Sequence, residues 1–152
     1  MEFTKRALHQ SIHKGIEKAG FAKSLPVQKQ TFEQVLDKGR DVCVQSQTGT
    51  GKTAAFLISI FQLLLPLYDF NGKKALIVAP TRELADQITK EVELLGQYTK
   101  LRTGCFFGGV DFTRQENLLR KGVDIIVGTP GRLLDFSQQG KLDLKKIGIL
   151  II

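Results

Sequence analysis

Short runs rich in Val and Ile alternate with helical segments along most of this sequence, and that alternation leaves few folds open. The stretches Asp41 to Gln45, Lys74 to Ala79, Arg102 to Phe107, Asp124 to Val127 and Ile147 to Ile152 have strand character. Between them the apolar spacing is helical, near Lys52 to Leu65, Arg82 to Leu95, Asp111 to Arg120 and Arg132 to Gln138. Strands each followed by a helix long enough to cross back over a sheet predict an α/β fold, a buried parallel sheet flanked by helices. Loops that do chemistry then gather at the carboxyl ends of the strands. Two helices are predicted ahead of the alternation. One runs from Phe3 to Gly20 with Leu8, Ile12, Ile16 and Ala19 on one stripe, and one follows Pro26, with Val27, Thr31, Phe32, Val35 and Leu36 in phase as far as Gly39.

With 152 residues, 42% of them hydrophobic, the chain is long enough to bury a core as one domain of ordinary size. No internal repeat or low-complexity linker divides it, and Asp69 to Lys73, containing Asn71-Gly72, reads as a turn. The net charge of +7 favours polyanionic partners, but the basic residues are scattered, so charge alone does not choose nucleic acid over a solvated surface. Cys43 and Cys105 lack zinc-site spacing and lie in apolar runs, which predicts two buried thiols in a reducing compartment. The apolar stretch Ala54 to Leu67 is broken by Ser59, Gln62 and Pro66 and is too short to span a bilayer, and the polar N-terminus has no secretion signal. A cytoplasmic setting without membrane contact is expected.

The sharpest local signal is Ser46-Gln47-Thr48-Gly49-Thr50-Gly51-Lys52-Thr53, between a predicted strand and an apolar helix. Glycines let the backbone curl so that successive N–H groups point inward at phosphate oxygens, and the helix start adds partial positive charge. Lys52 is suited to neutralising the β- and γ-phosphates of a nucleotide, and the Thr53 hydroxyl to ligating Mg²⁺. Ser46 stands where the general phosphate-loop pattern begins with glycine.

Further strings recur at predicted strand ends. Thr81 and Arg82 offer a hydroxyl and a guanidinium beside a helix start, as do Thr129 and Arg132, while Gly108-Gly109 permits close backbone approach. These features suit the phosphates of a bound strand. Singly, Thr81-Arg82-Glu83 is an ordinary helix start, Thr129 to Arg132 a proline turn, and Gln28 an exposed glutamine at a helix start.

Taken in order, Phe3, Gly20-Phe21 with Pro26-Val27-Gln28, the phosphate loop, Pro80-Thr81-Arg82-Glu83-Leu84-Ala85, Gly108-Gly109 and Thr129-Pro130-Gly131-Arg132 resemble successive motifs of DEAD-box RNA helicases, over nearly the whole chain. The resemblance implies an N-terminal RecA-like ATP-binding helicase domain over residues 1–152, with a Q-motif region at 1–39 and the phosphate loop onward at 40–152. It implies ATP with Mg²⁺ as cofactors, bound by Phe3, Phe21, Gln28 and Ser46 to Thr53, with Lys52 and Thr53 nearest the chemistry. By resemblance Gln28 reads the adenine edge, which a primary amide can pair bidentately, and Phe3 packs on the base. Pro80, Thr81, Arg82, Gly108, Gly109, Thr129, Pro130, Gly131 and Arg132 would hold one RNA strand by its sugar-phosphate backbone, without reading sequence.

In the family the final strand, Ile147 to Ile152, runs into an Asp-Glu-Ala-Asp motif, which is not in this sequence, and a second helicase domain follows. The expectation is therefore a C-terminally truncated domain. Nucleotide binding with little or no hydrolysis is expected of these residues, because phosphoryl transfer needs an acidic metal ligand and a group that orients the water. Sheet surface left uncovered is expected to favour self-association. The alternatives are another P-loop NTPase, such as a DNA translocase or transporter motor, and a non-catalytic RNA-binding module.

Overall fold

The computed structural model describes residues 2–49, 51–65 and 72–152. It divides into two compact units, one of residues 1–69 with 91–100 and one of residues 70–90 with 101–152.

In the first unit, a 3₁₀ turn at Phe3–Lys5 precedes α1 (Gln10–Lys18), so the single helix expected from Phe3 is shorter and begins later. The reason is local: His9 caps α1, its Nδ1 accepting from the Ser11 amide at 3.2 Å, and the chain before it is not helical. The predicted second helix is α2 (Pro26–Phe32), continued by a π-helical turn at Glu33–Asp37. The longest apolar helix is α3 (Lys52–Leu64), in which Leu57, Ile58, Ile60 and Phe61 are all fully buried. Its start agrees with the expectation from the glycine-rich loop.

Asp41 to Gln45 does not form the expected strand. Residues 39–47 have no regular secondary structure, and 41–49 are exposed, so Cys43 is exposed and not buried. A strand is stabilised by ladder partners on its flanks, and the sheet is built from four other segments. Beta-type composition alone does not supply those partners.

The second unit carries that sheet: β1 (Lys74–Val78), β2 (Thr103–Phe106), β3 (Ile125–Gly128) and β4 (Ile147–Ile151), all parallel, in the order β2-β3-β1-β4. The helices α4 (Arg82–Gly96), α5 (Phe112–Lys121) and α6 (Pro130–Gln138) follow β1, β2 and β3, as the alternation predicts. The unit boundary falls within α4. Leu76, Phe106 and Ile126 of the sheet, Leu133 and Phe136 of α6, and Val123 and Leu142 form one apolar core, against which Phe112 and Leu119 of α5 pack. Ala75, Ile77, Ile125 and Val127 are also buried, so β1 and β3 hide residues of both pleat directions. The half-buried Cys105 of β2 is likewise less enclosed than expected, because β2 lies at an edge of the sheet. At the other edge, Leu150 is 55% exposed. The turn expected at Asp69 to Lys73 lies largely outside the described residues.

Candidate nucleotide and strand-binding sites

The phosphate loop belongs to the first unit. Gly49 and Gly51 have φ of +76° and +83°, the left-handed region in which the loop turns back before α3. Gly51 is the residue that caps α3, and no side chain caps the helix, leaving its first N–H groups available to an anion. The Lys52 ammonium curls back over the loop, donating to the Ser46 carbonyl and, at 2.7 Å, to the Gln47 carbonyl. Thr53, half-buried, sits in the first turn of α3. Thr50 lies outside the described residues. These donors and this hydroxyl match the needs of a polyphosphate with a hard divalent cation, which prefers oxygen ligands.

Gln28 is 2% exposed, unlike the open helix-start glutamine its isolated sequence suggests. Its Oε1 accepts from the Leu25 amide at 2.8 Å, satisfying a donor at the start of α2, and its Nε2 donates to the Gly51 carbonyl at 3.3 Å. One side chain therefore joins α2 to the phosphate loop. Each amide atom retains a further hydrogen-bonding position in principle. Between α2 and residues 42–46 lies a cleft of about 770 Å³, lined by Pro26, Val27, Thr31, Val42, Val44 and Ser46 among others. Phe3 is 3% exposed and packs edge-on against Phe32, with centroids 6.4 Å apart, whereas the Phe21 ring is 41% exposed.

The second cluster occupies the carboxyl ends of β1, β2 and β3 in the second unit. Register places Val78 beside Gly128 and Gly128 beside Phe106, so the loops that follow emerge side by side, that of β3 in the middle. The loop after β1 holds Pro80, Thr81 and Arg82, all exposed. Thr81 caps α4, its Oγ1 accepting from the Leu84 amide at 3.2 Å, which leaves the hydroxyl hydrogen to donate elsewhere. The Arg82 guanidinium lies over the Phe107 ring, 4.5 Å from its centroid. Gly108 and Gly109 are exposed, and Gly109 has φ +82°; a Cβ there would sit 3.8 Å from Arg82 Nη1.

The loop after β3 holds Thr129, Pro130, Gly131 and Arg132. The Thr129 amide donates to the Phe106 carbonyl at 3.0 Å, and Pro130 takes the first position of α6, where a missing N–H costs nothing. Arg132 donates from Nη1 to Gln115 Oε1 at 3.0 Å and from Nη2 to the Val110 carbonyl at 3.3 Å, and lies 5.3 Å from the Phe112 centroid. Two of its five N–H groups are thus used, leaving three for a phosphate. Sequence reasoning missed Gln115, Phe107 and Phe112. Gln115 had a visible signal, since it falls three residues after Phe112 and four before Leu119, a polar residue on the apolar stripe of α5.

A family model described as DEAD/DEAH box helicase matches residues 25–152. The ATP-dependent RNA helicase RhlB of Hamiltonella defensa is 42% identical over 156 residues, an alignment that covers 99% of this chain and 37% of that protein. RhlB of Serratia proteamaculans is 44% identical, with 99% and 36% covered. Among solved structures, a DEAD box protein from the hyperthermophile Methanococcus jannaschii superimposes with TM-score 0.88 at 35% identity, over 99% of this chain and 40% of that one. A hypothetical ATP-dependent RNA helicase from Sulfolobus tokodaii gives TM-score 0.84 at 36% identity, over 94% and 40%. The chain therefore spans well under half the length of these relatives.

Proposed function

We propose, from the premise that this chain belongs to the DEAD/DEAH box helicase family, that the protein is an ATP-dependent RNA helicase and that these residues bind its nucleotide and one face of its RNA. The RecA-like α/β fold is that of the structural neighbours. The observation that carries the reading is that one chain holds both a phosphate loop at the uncapped N-terminus of α3 and, in its second unit, three adjacent strand-end loops rich in hydroxyl, guanidinium and glycine.

In this reading the backbone N–H groups of Gln47 to Gly49, Gly51 and Lys52 would hold the phosphates of Mg·ATP. The Lys52 ammonium would neutralise phosphate oxygens in place of its bonds to the Ser46 and Gln47 carbonyls, and the Thr53 hydroxyl would serve as an oxygen ligand for the metal. Gln28, tied to Gly51, links recognition of the adenine edge to the shape of the phosphate loop. RNA lies along Pro80 to Arg82, Gly108-Gly109 and Thr129 to Arg132, held by phosphate contacts indifferent to base sequence. These 152 residues are proposed to bind nucleotide without appreciable turnover, because an acidic metal ligand and a water-orienting group must join Lys52 and Thr53 for phosphoryl transfer. Among the described residues no helix is long and apolar enough to cross a membrane.

Calorimetric titration with Mg·ADP and with Mg·GDP tests the nucleotide half. Binding selective for ADP is expected, abolished by Lys52→Ala, with the preference for adenine lost in Gln28→Ala. Equal affinity for the two nucleotides, or affinity untouched by Lys52→Ala, would overturn it.

A further inference from the structure

We infer that Gln115 is a positioning residue for strand binding: it locks the Gly108-Gly109 loop to Arg132, so that two of the three strand-end loops act as one rigid surface. The inference rests on the reading of those loops as the RNA surface. Among the described residues of the second unit, Gln115 is the one buried polar side chain, 7% exposed. Burying an amide is unfavourable unless both ends find partners, and both do. Its Nε2 donates to the Phe107 carbonyl at 3.0 Å, and its Oε1 accepts from Arg132 Nη1 at 3.0 Å.

The partners give the arrangement its meaning. The Phe107 carbonyl belongs to the peptide that enters Gly108-Gly109, and the Phe107 ring carries the Arg82 guanidinium. Arg132 is bonded in turn to the Val110 carbonyl, just past the two glycines. The glycine loop is thus held on one side by Gln115 and on the other by Arg132, and the two holders are bonded to each other. Two glycines in succession make a loop with large conformational freedom, and a strand that binds a loose loop loses affinity to the cost of ordering it. A fixed loop incurs that cost during folding. A leucine or methionine at this place on the α5 stripe would keep an apolar side chain against the core but would remove the donor to the Phe107 carbonyl and leave Arg132 held only by the Val110 carbonyl and its ring contacts.

The test is a double-mutant cycle in the intact protein, with a short fluorescent oligouridine RNA as probe and Mg·ADP affinity as the control for folding. Gln115→Met is expected to weaken RNA binding about tenfold, roughly 1.4 kcal/mol, without changing Mg·ADP affinity. Combined with Arg132→Ala it should weaken binding no further than Arg132→Ala alone. Gln115→Glu, which keeps an acceptor for Arg132 but not the donor to Phe107, should be intermediate. Additive effects, or Gln115→Met binding RNA like the unsubstituted protein while Arg132→Ala is impaired, would overturn the inference and leave the RNA surface standing. If Arg132→Ala and Arg82→Ala both bind RNA normally, the surface reading itself fails, and this inference with it.

Discussion

Gly51 meets two demands that no other residue satisfies together. Its φ of +83° is a conformation that costs an L-residue about 1–2 kcal/mol, and a Cβ there would come within 2.6 Å of Gln28 Nε2. Gly51→Ala should therefore displace Gln28 as well as distort the loop. The expected outcome is a folded protein with Mg·ADP affinity reduced about tenfold or more, since 1.4 kcal/mol is a factor of ten, checked by calorimetry beside a denaturant titration. Glu91 makes a different case at the same scale. Partial burial in α4 raises its carboxyl above the ordinary value, so the charged form is the disfavoured one in the folded chain. A raised carboxylate detracts from stability at neutral pH, and the deficit is relieved as pH falls through the folded value. Glu91→Gln should raise the melting temperature slightly near neutral pH and lose that advantage in acid; a variant less stable at neutral pH would refute the assignment.

Helices α5 and α6 are fixed to the sheet by apolar contacts inside and by a charged clasp outside. Phe136 of α6 is fully buried, tilted against Phe112 at 4.6 Å and edge-on to Phe106 at 5.8 Å. Phe136→Ala should cost about 3–5 kcal/mol in urea unfolding, the range for removing a buried aromatic ring. Outside, Glu116 of α5 accepts from Lys141, beyond α6, at 2.5 Å and from Arg120 at 2.9 Å. The Lys141 hydrogen bond, aided by its charge and by Arg120, holds the Glu116 carboxyl below its ordinary value. Because the folded value is the lower one, the clasp stabilises above the ordinary carboxylate range and is lost as pH falls through the folded value. Glu116→Gln should thus be less stable than the parent near neutral pH, with the difference shrinking as pH falls below the ordinary carboxylate range. A difference that persists undiminished in acid would mean that the side chain acts by packing alone.

For the chain as a whole, a net charge of +7 together with the proposed strand-binding surface predicts an RNA affinity that depends on salt. Plotted against log salt, log affinity should fall linearly. Removing Arg82 or Arg132 should each reduce the slope by about 0.7, the value for one phosphate contact on a single strand. A slope unchanged by either substitution would show that the arginines shape the loops without touching phosphate.

Much of this protein is determined by local sequence. The β–α alternation specifies β1 to β4 and the helices that follow β1, β2 and β3, the glycines specify where α3 begins, and the motifs specify the family, because each string depends on residues close together in the chain. Four matters depended on partners far apart in sequence. Asp41 to Gln45 has strand composition but lies outside the four-stranded ladder, and Cys43 is exposed with it. Phe3 is enclosed against Phe32. Gln28 is buried because its amide finds Gly51, and Gln115 is buried because its amide finds Phe107 and Arg132. Propensity and spacing are properties of neighbours along the chain, whereas pairing, burial and hydrogen-bond satisfaction are settled only when distant segments meet.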